Sequence, residues 1–303
     1  EMDPNFCYDE ETECLTREGW KHYTELTYED EIASYNAETN ELEYHKPDII
    51  TIQDYDGEMY HFSTRNMNMR VTPNHRMFVN RHGEEWRILH ADQIRPFDRF
   101  RACLDEGGYE GEKVPETLEI AGEVVDSLTW FEFVGWWLAE GGICHTGPIE
   151  TRDNPYTVAV TQSRYSQKVK ELFDKLPWKW SLSQGVQYII NNVQLGRYLV
   201  EHFGEGSANK KIPVWMRSAD REHLEALFNA WFHGDGTSWE LKNGTTFRHG
   251  SSVSKQLIDD LQEVAFKLGY GTYSVHRENK KGDGSVRYVR KDGTPCYDWY
   301  SLT

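Results

Sequence analysis

Apolar and polar positions alternate in short runs over the first third of the chain. From Ser127 onward the apolar period lengthens to three or four residues. Runs at 32–35, 60–62 and 69–71 predict strands, and Asn, Asp and Gly clusters at 36–40 and 54–57 predict hairpin turns between them. The glycines at 107–111 read as a linker. Segments 127–140 and 221–234 are apolar almost all round and predict buried helices. Between them, 156–162 and 186–190 alternate, while 164–175 and 193–203 have the spacing of amphipathic helices. A hairpin turn at Asn243-Gly244 and a helix over 254–268, stopped by Gly269, follow. The order helix, hairpin, helix thus occurs twice, the pattern of an internal duplication. Alternation returns over 285–303 and predicts strands that pair with the first domain, which makes the helical part an insertion.

At 303 residues the chain is long enough for two domains. The formal net charge of −17 argues against a nucleic-acid partner, because phosphate contacts need Lys and Arg. Its distribution changes the picture. Residues 1–125 hold 12 Lys and Arg against 29 Asp and Glu, whereas 126–303 hold 21 of each. The second part is neutral and can bind DNA if its cations gather on one face. Five scattered cysteines form no metal-binding spacing and suit a reducing cytoplasm, where a reactive thiol survives. The first residues have no basic and apolar stretches of a signal peptide, and no apolar run is long enough to span a bilayer. The expectation is a soluble, cytoplasmic monomer.

Cys7 stands before Thr12, and Thr72-Pro73-Asn74-His75 places a hydroxyl and an imidazole three residues apart at a turn. These are the parts for attack by a thiolate on the carbonyl of the preceding peptide bond, Phe6–Cys7. The amide nitrogen is a poor leaving group and needs a general acid, the work of His75, while Thr72 can hold the peptide distorted. Singly, Thr-x-x-His is more often a capped turn and a lone Cys more often inert. As a set, with Trp20-Lys21, the run from Trp86 to Ile94 and Asp98, they resemble the Hint domain of inteins over about 95 residues. Phe97 stands where that family usually has Gly. The resemblance implies an all-β horseshoe with Cys7 at its centre. Residues 1–6 would be a remnant of the flanking host protein, and Trp299-Tyr300-Ser301-Leu302-Thr303 would match the family's penultimate motif. The family's terminal His-Asn and following nucleophile are not in these residues, so the resemblance implies N-terminal cleavage at Cys7 rather than complete splicing.

Residues 133–141 and 228–236 align position by position. Each carries small residues four apart, Gly135 with Ala139 and Ala230 with Gly234, and each ends in a carboxylate followed by Gly. Small faces let two helix backbones approach, which brings Glu140 and Asp235 together. Two adjacent carboxylates are a site for Mg²⁺ in phosphodiester hydrolysis. One such motif would be an ordinary buried helix; two copies resemble the single-chain LAGLIDADG homing endonucleases over roughly 150 residues. That resemblance implies two pseudo-symmetric αββαββ repeats over double-stranded DNA, with Glu140 and Asp235 as metal ligands. Either Lys210 or Lys211 would be the auxiliary lysine, although both also read as surface lysines before a helix. Arg277, Lys280, Lys281, Arg287, Arg290 and Lys291 form a basic cluster that suits either DNA backbone or plain solvation.

The expected fold is therefore an all-β Hint horseshoe domain, 7–125 with 279–303, plus an inserted α+β LAGLIDADG domain, 126–278. The expected function is autocatalytic splicing chemistry at Cys7 combined with Mg²⁺-dependent, site-specific DNA cleavage. The alternatives are a splicing element with a degenerate endonuclease and a Hint protein that cleaves without ligating.

Overall fold

The alternating first third folds, in the computed structural model, into short antiparallel strands. The structure describes residues 7–303 apart from 65–66, 82, 106, 146–154, 241, 243–245, 282–284 and 292–293. The host remnant expected at 1–6 and the turn at Asn243-Gly244 lie outside the described residues. Two units are present, Glu1–Tyr109 with Gly269–Tyr273, and Glu110–Leu268 with Ser274–Thr303.

In the first unit, β1 (Glu13–Thr16), β2 (Gly19–His22), β3 (Ile32–Asn36) and β4 (Glu41–His45) form a sheet in the order β2-β1-β3-β4. Strands β5 (Tyr60–Ser63) and β6 (Asn68–Val71) pair with each other, and β7 (Arg76–Asn80) lies between β8 (Trp86–His90) and β9 (Arg99–Phe100). Val71, Met77, Val79 and Ala91 make the core, ringed by Tyr60, Phe62, Leu89 and Phe100. The turn at 36–40 joins β3 to β4 as expected. The expected hairpin at 54–57 does not form, because β5 pairs with β6 and residues 46–59 contribute no strand. Asp98, its carboxylate fully buried, takes two bonds from Arg81, at 2.9 and 2.7 Å, and one from the Arg95 amide. That tight turn puts Phe97 at φ +77°, a left-handed backbone that costs a non-glycine residue about 1–2 kcal/mol, which explains why Gly is the easier choice there.

The second unit begins earlier than expected. Glu112 exchanges backbone bonds with Ser218 and Asp220, and the hairpin β10 (Thr117–Ile120) and β11 (Glu123–Asp126) runs straight into α1 (Ser127–Glu140). Asp126, the last residue of β11, is the N-cap of α1 and accepts from the Thr129 amide. The boundary expected at 125/126 therefore moves to 109/110. After α1 come β12 (Gly141–His145), β13 (Pro155–Thr161), α2 (Ser166–Phe173), β14 (Trp180–Ser183), β15 (Gln187–Asn191), α3 (Val193–Phe203) and α4 (Val214–Arg217). The repeat then starts again with α5 (Arg221–Asp235), β16 (Gly236–Glu240), β17 (Thr246–Ser252), α6 (Lys255–Lys267), β18 (Ser274–Arg277) and β19 (Trp299–Leu302). The two sheets have matching orders, β12-β13-β15-β14 and β16-β17-β19-β18.

This symmetry corrects a second expectation. Residues 279–303 were expected to pair with the first domain, and 299–303 to be a splicing motif. Instead β19 pairs with β17 and β18, Ser251 facing Ser301 and His276 facing Tyr300, and buries Ser301 and Leu302 in the second unit. It completes the second repeat as β15 completes the first. One difference between the two repeats lies in the second hairpin. The turn between β14 and β15 is Gln184 to Val186, whereas β18 and β19 are separated by residues 278–298. That long hairpin is closed by the buried Asn279. Its side-chain amide donates to the carbonyls of Tyr288 and Cys296 and accepts from the Tyr288 amide, each at 2.8 Å.

Helices α1 and α5 are the centre of the unit. Trp130, Trp136, Trp137 and Trp231 on them are fully buried. At their N-terminal ends Ser127 Oγ and His223 Nε2 lie 2.8 Å apart. Further along, the small faces touch. A Cβ on Gly135 would fall 2.3 Å from the Leu227 carbonyl oxygen, and one on Gly234 would fall 2.4 Å from the Ala139 Cβ. We expect Gly135→Ala to destabilise the second unit by about 1–3 kcal/mol, the usual range for overpacking, read as a lower urea midpoint. An unchanged midpoint would show that the helices can separate at no cost.

Candidate functional site

Cys7 is placed by a reciprocal pair of bonds with Thr72. The Cys7 amide donates to Thr72 Oγ1 at 3.1 Å, and the Thr72 amide donates to the Cys7 carbonyl at 3.0 Å. Thr72 is fully buried at the end of β6, so its hydroxyl is fixed on the nitrogen that an acyl shift would release. The turn continues with the His75 amide on the Thr72 carbonyl, and the Ala91 and Asp92 amides pin it by donating to the His75 and Pro73 carbonyls. The His75 ring is 9% exposed and lies 4.3 Å from the Tyr8 ring, edge to face. Burial holds its pKa below the usual imidazole value, so the neutral ring prevails near pH 7 and offers one N–H. Thr12 stays apart from this set, closing a turn on Asp9 at 2.7 Å. A group that sequence reasoning missed is Gln53, whose side-chain amide donates to Cys7 Sγ at 3.4 Å. A glutamine 46 residues from the thiol carries no signal that would have flagged it.

The second set sits where α1 and α5 end. Glu140 and Asp235 are the last residues of the two helices, and Gly234 packs against the Glu140 side chain. Burial raises the Glu140 pKa, opposed by the charge of Lys210. Asp235 still reaches the surface, yet the protein packed around its carboxyl and the neighbouring charge of Glu140 push its pKa up to about 7. Lys210 is 5% exposed, and burial lowers its pKa to about 8 against the pull of Asp235 and Glu140. Its ammonium donates to the carbonyls of Trp137, Leu138 and Gly141 at 2.9, 2.8 and 2.9 Å. Lys210 thus caps the C-terminus of α1, where a cation complements the helix dipole, and adds positive charge beside the carboxylates.

Lys210 is brought into the site and Lys211 is not. Lys211 is exposed, and its amide donates to the Phe203 carbonyl. Position 210 is held from α6, whose N-cap Ser254 donates to the Lys210 carbonyl at 2.6 Å. Gln162, at the end of β13, was not singled out as a site residue. Its amide reaches Glu140 Oε1 at 3.5 Å while its own oxygen accepts from the Arg164 and Tyr165 amides. Among the described residues no group of three or more His, Cys, Asp or Glu side chains could hold a metal ion. Two carboxylates raised in pKa by burial, Asp235 also by the charge of Glu140, nevertheless suit a divalent cation that keeps water and phosphate oxygens as its other ligands. No helix among the described residues is long and apolar enough to cross a membrane.

No protein-family model matches the chain. It is 27% identical, over 87% of its length, to the ATP-dependent Clp protease proteolytic subunit of Chlamydomonas moewusii, and covers 28% of that protein. It is 23% identical, over 89% of its length, to the DNA-directed RNA polymerase subunit beta C-terminal section of Stigeoclonium helveticum, and covers 27% of it. The chain therefore spans less than a third of these relatives. Among solved structures, it is similar to an AceL NrdHF class 3 split intein, with 29% identity over 31% of this chain and 59% of that one and a TM-score of 0.27. It is also similar to I-DmoI in complex with DNA and Mn, with 14% identity over 58% of this chain and 88% of that one and a TM-score of 0.36.

The raised Asp235 carboxyl makes a stability prediction. The native state binds this proton more tightly than the unfolded chain, so stability falls as pH climbs from near 3.8 to about 7 and is level above that. We expect Asp235→Asn to have the higher Tm at pH 8, with a gap that shrinks steadily toward pH 4. A gap independent of pH, in a series of melting curves, would mean that the carboxyl is not destabilised by folding.

Proposed function

We propose that the chain is a self-processing element of the intein type that carries a DNA endonuclease. The first unit, closing near 109, would be the Hint domain, and the second, from 110, the LAGLIDADG domain. The observation that carries the first activity is the clamp of Thr72 Oγ1 on the Cys7 amide, beside a buried imidazole. In the reaction Cys7 Sγ attacks the preceding carbonyl carbon. A C–S bond forms and the C–N bond breaks, while His75 takes the thiol proton and, as the imidazolium so formed, delivers it to the released nitrogen. The product is a thioester. The neutral state of His75 fits the first half of this exchange, because only an unprotonated ring nitrogen can take up the thiol proton.

The sequence relatives support the same reading. A protease subunit and an RNA polymerase subunit share similarity with this chain over only 28% and 27% of their lengths. A stretch common to proteins so different in name suits an element inserted in unrelated hosts, whose flanking segments would be its partners. The DNA activity rests on Glu140 and Asp235, paired at the ends of duplicated helices with Lys210 behind them. These carboxylates would hold Mg²⁺ or a similar divalent ion, which when bound stabilises the charge that develops on the phosphodiester oxygens. Gln162 would orient Glu140, and Lys210 would keep the end of α1 in place.

Two tests separate the activities. Treating the fresh protein with a small thiol should release residues 1–6, read as a mass loss, and Cys7→Ala should abolish it. Persistent release in that variant would overturn the assignment of the nucleophile. On a duplex carrying the uninterrupted insertion site, Glu140→Gln should remove Mg²⁺-dependent cutting without touching thiol release. Duplex binding without cutting by the unaltered chain would instead mark a decayed nuclease. Where the unaltered chain cuts, the Mg²⁺ concentration needed for half-maximal rate should rise as pH falls below about 7, because the ion must then displace the proton on Asp235.

A further inference from the structure

A cavity of about 410 Å³ opens in the second unit beside Gly236, one residue past Asp235. Its walls come from both repeats: the turn after β13 supplies Arg164 and Tyr165, while α5, β16 and β17 supply the rest. The volume falls within the roughly 300–1,000 Å³ usual for small-molecule sites. We propose that this cavity binds the phosphoryl group of a nucleotide. The proposal goes beyond the nuclease reading, and its first test does not require that reading to hold.

The lining chemistry selects the ligand. Arg164 and Arg248 line the space together with Asn229, Ser238 and Thr246. Among the described residues, no Asp or Glu lines it. Guanidinium forks and hydroxyls match phosphate oxygens in geometry and charge. Both arginines are seated on rings, Arg164 at 5.2 Å from the Tyr165 centroid and Arg248 at 5.5 Å from that of Phe232. Side chains seated in this way lose less freedom when a ligand arrives. The His233 ring is held against Trp136, with centroids 6.0 Å apart, and against Tyr165, at 5.0 Å. Tyr165 and Phe232 also line the cavity, so a nucleotide, which carries an apolar base beside its phosphate, matches the lining better than a bare anion.

The phosphoryl group has two sources, a free nucleotide or a strand of DNA, and titrations at low salt distinguish them. Adenosine monophosphate and inorganic phosphate are titrated into the intact chain by calorimetry, and a 20-base-pair duplex by anisotropy. We expect saturable binding of adenosine monophosphate, weakened at least tenfold by Arg164→Gln with Arg248→Gln and unaffected by Glu140→Gln. Both arginines are exposed, so the double variant should fold, which its circular dichroism confirms. Absence of nucleotide binding with a tenfold loss of duplex affinity in the double variant supports the site and assigns it to a DNA strand. Equal affinities for every probe in the intact and double-variant chains, or no binding of any probe, overturn the proposal. Loss of DNA cutting with nucleotide binding retained would count against the nuclease reading alone.

Discussion

The contact on which the second unit depends is the close approach of two helix backbones. Where Gly135 meets Leu227 and Gly234 meets Ala139 there is no room for an extra methyl group. The small faces bring the helix ends together, and the ends carry like charges. Burial of the carboxyls works against folding, and the charge of Glu140 acting on Asp235 adds to the cost. The fold offsets this with packing along the whole length of the helices, four buried tryptophans included, and with one ammonium placed behind the pair. Stability along the helices thus supports an unfavourable arrangement at their tips, the usual direction of exchange between a core and a reactive site.

The same dependence reaches outward. Lys210 can stand behind the carboxylates only because its segment is tied down from elsewhere. Ser254 holds the Lys210 carbonyl, and Asp260 accepts the Ile212 amide at 2.7 Å. Asp260 in turn belongs to a buried set with Arg217, Glu263 and Lys267, in which Lys267 reaches Glu263 at 2.6 Å. Breaking one member of such a set leaves an uncompensated charge in the interior. The second repeat therefore fixes a group that serves the tip of the first.

Much of this was legible in the residues. The helices α1 and α5 announced themselves because small residues four apart and a terminal carboxylate recur together, and a helix has only one way to display that spacing. Cys7, Thr72 and His75 were legible for the same reason, since local turn geometry joins Thr72 to His75. Strand partners were another matter. Alternation shows that 299–302 is extended but not which edge it joins, and the long stretch after Arg277 hid the match between β19 and β15. The choice between Lys210 and Lys211 depends on which side of the chain faces inward, which neighbouring identical residues cannot reveal. Gln53 and Gln162 act as single amide donors, and an amide has no spacing rule to betray it.

The hairpin between β18 and β19 closes on Asn279 through bonds to its own members, Tyr288 and Cys296. The sheet below it is satisfied by β17, β18 and β19 alone. Chain added between Tyr288 and Cys296 would leave both the ladder and the Asn279 bonds in place, much as a socket accepts different plugs. Within an otherwise symmetric repeat, this is the place where lineages can diverge in length without renegotiating the fold.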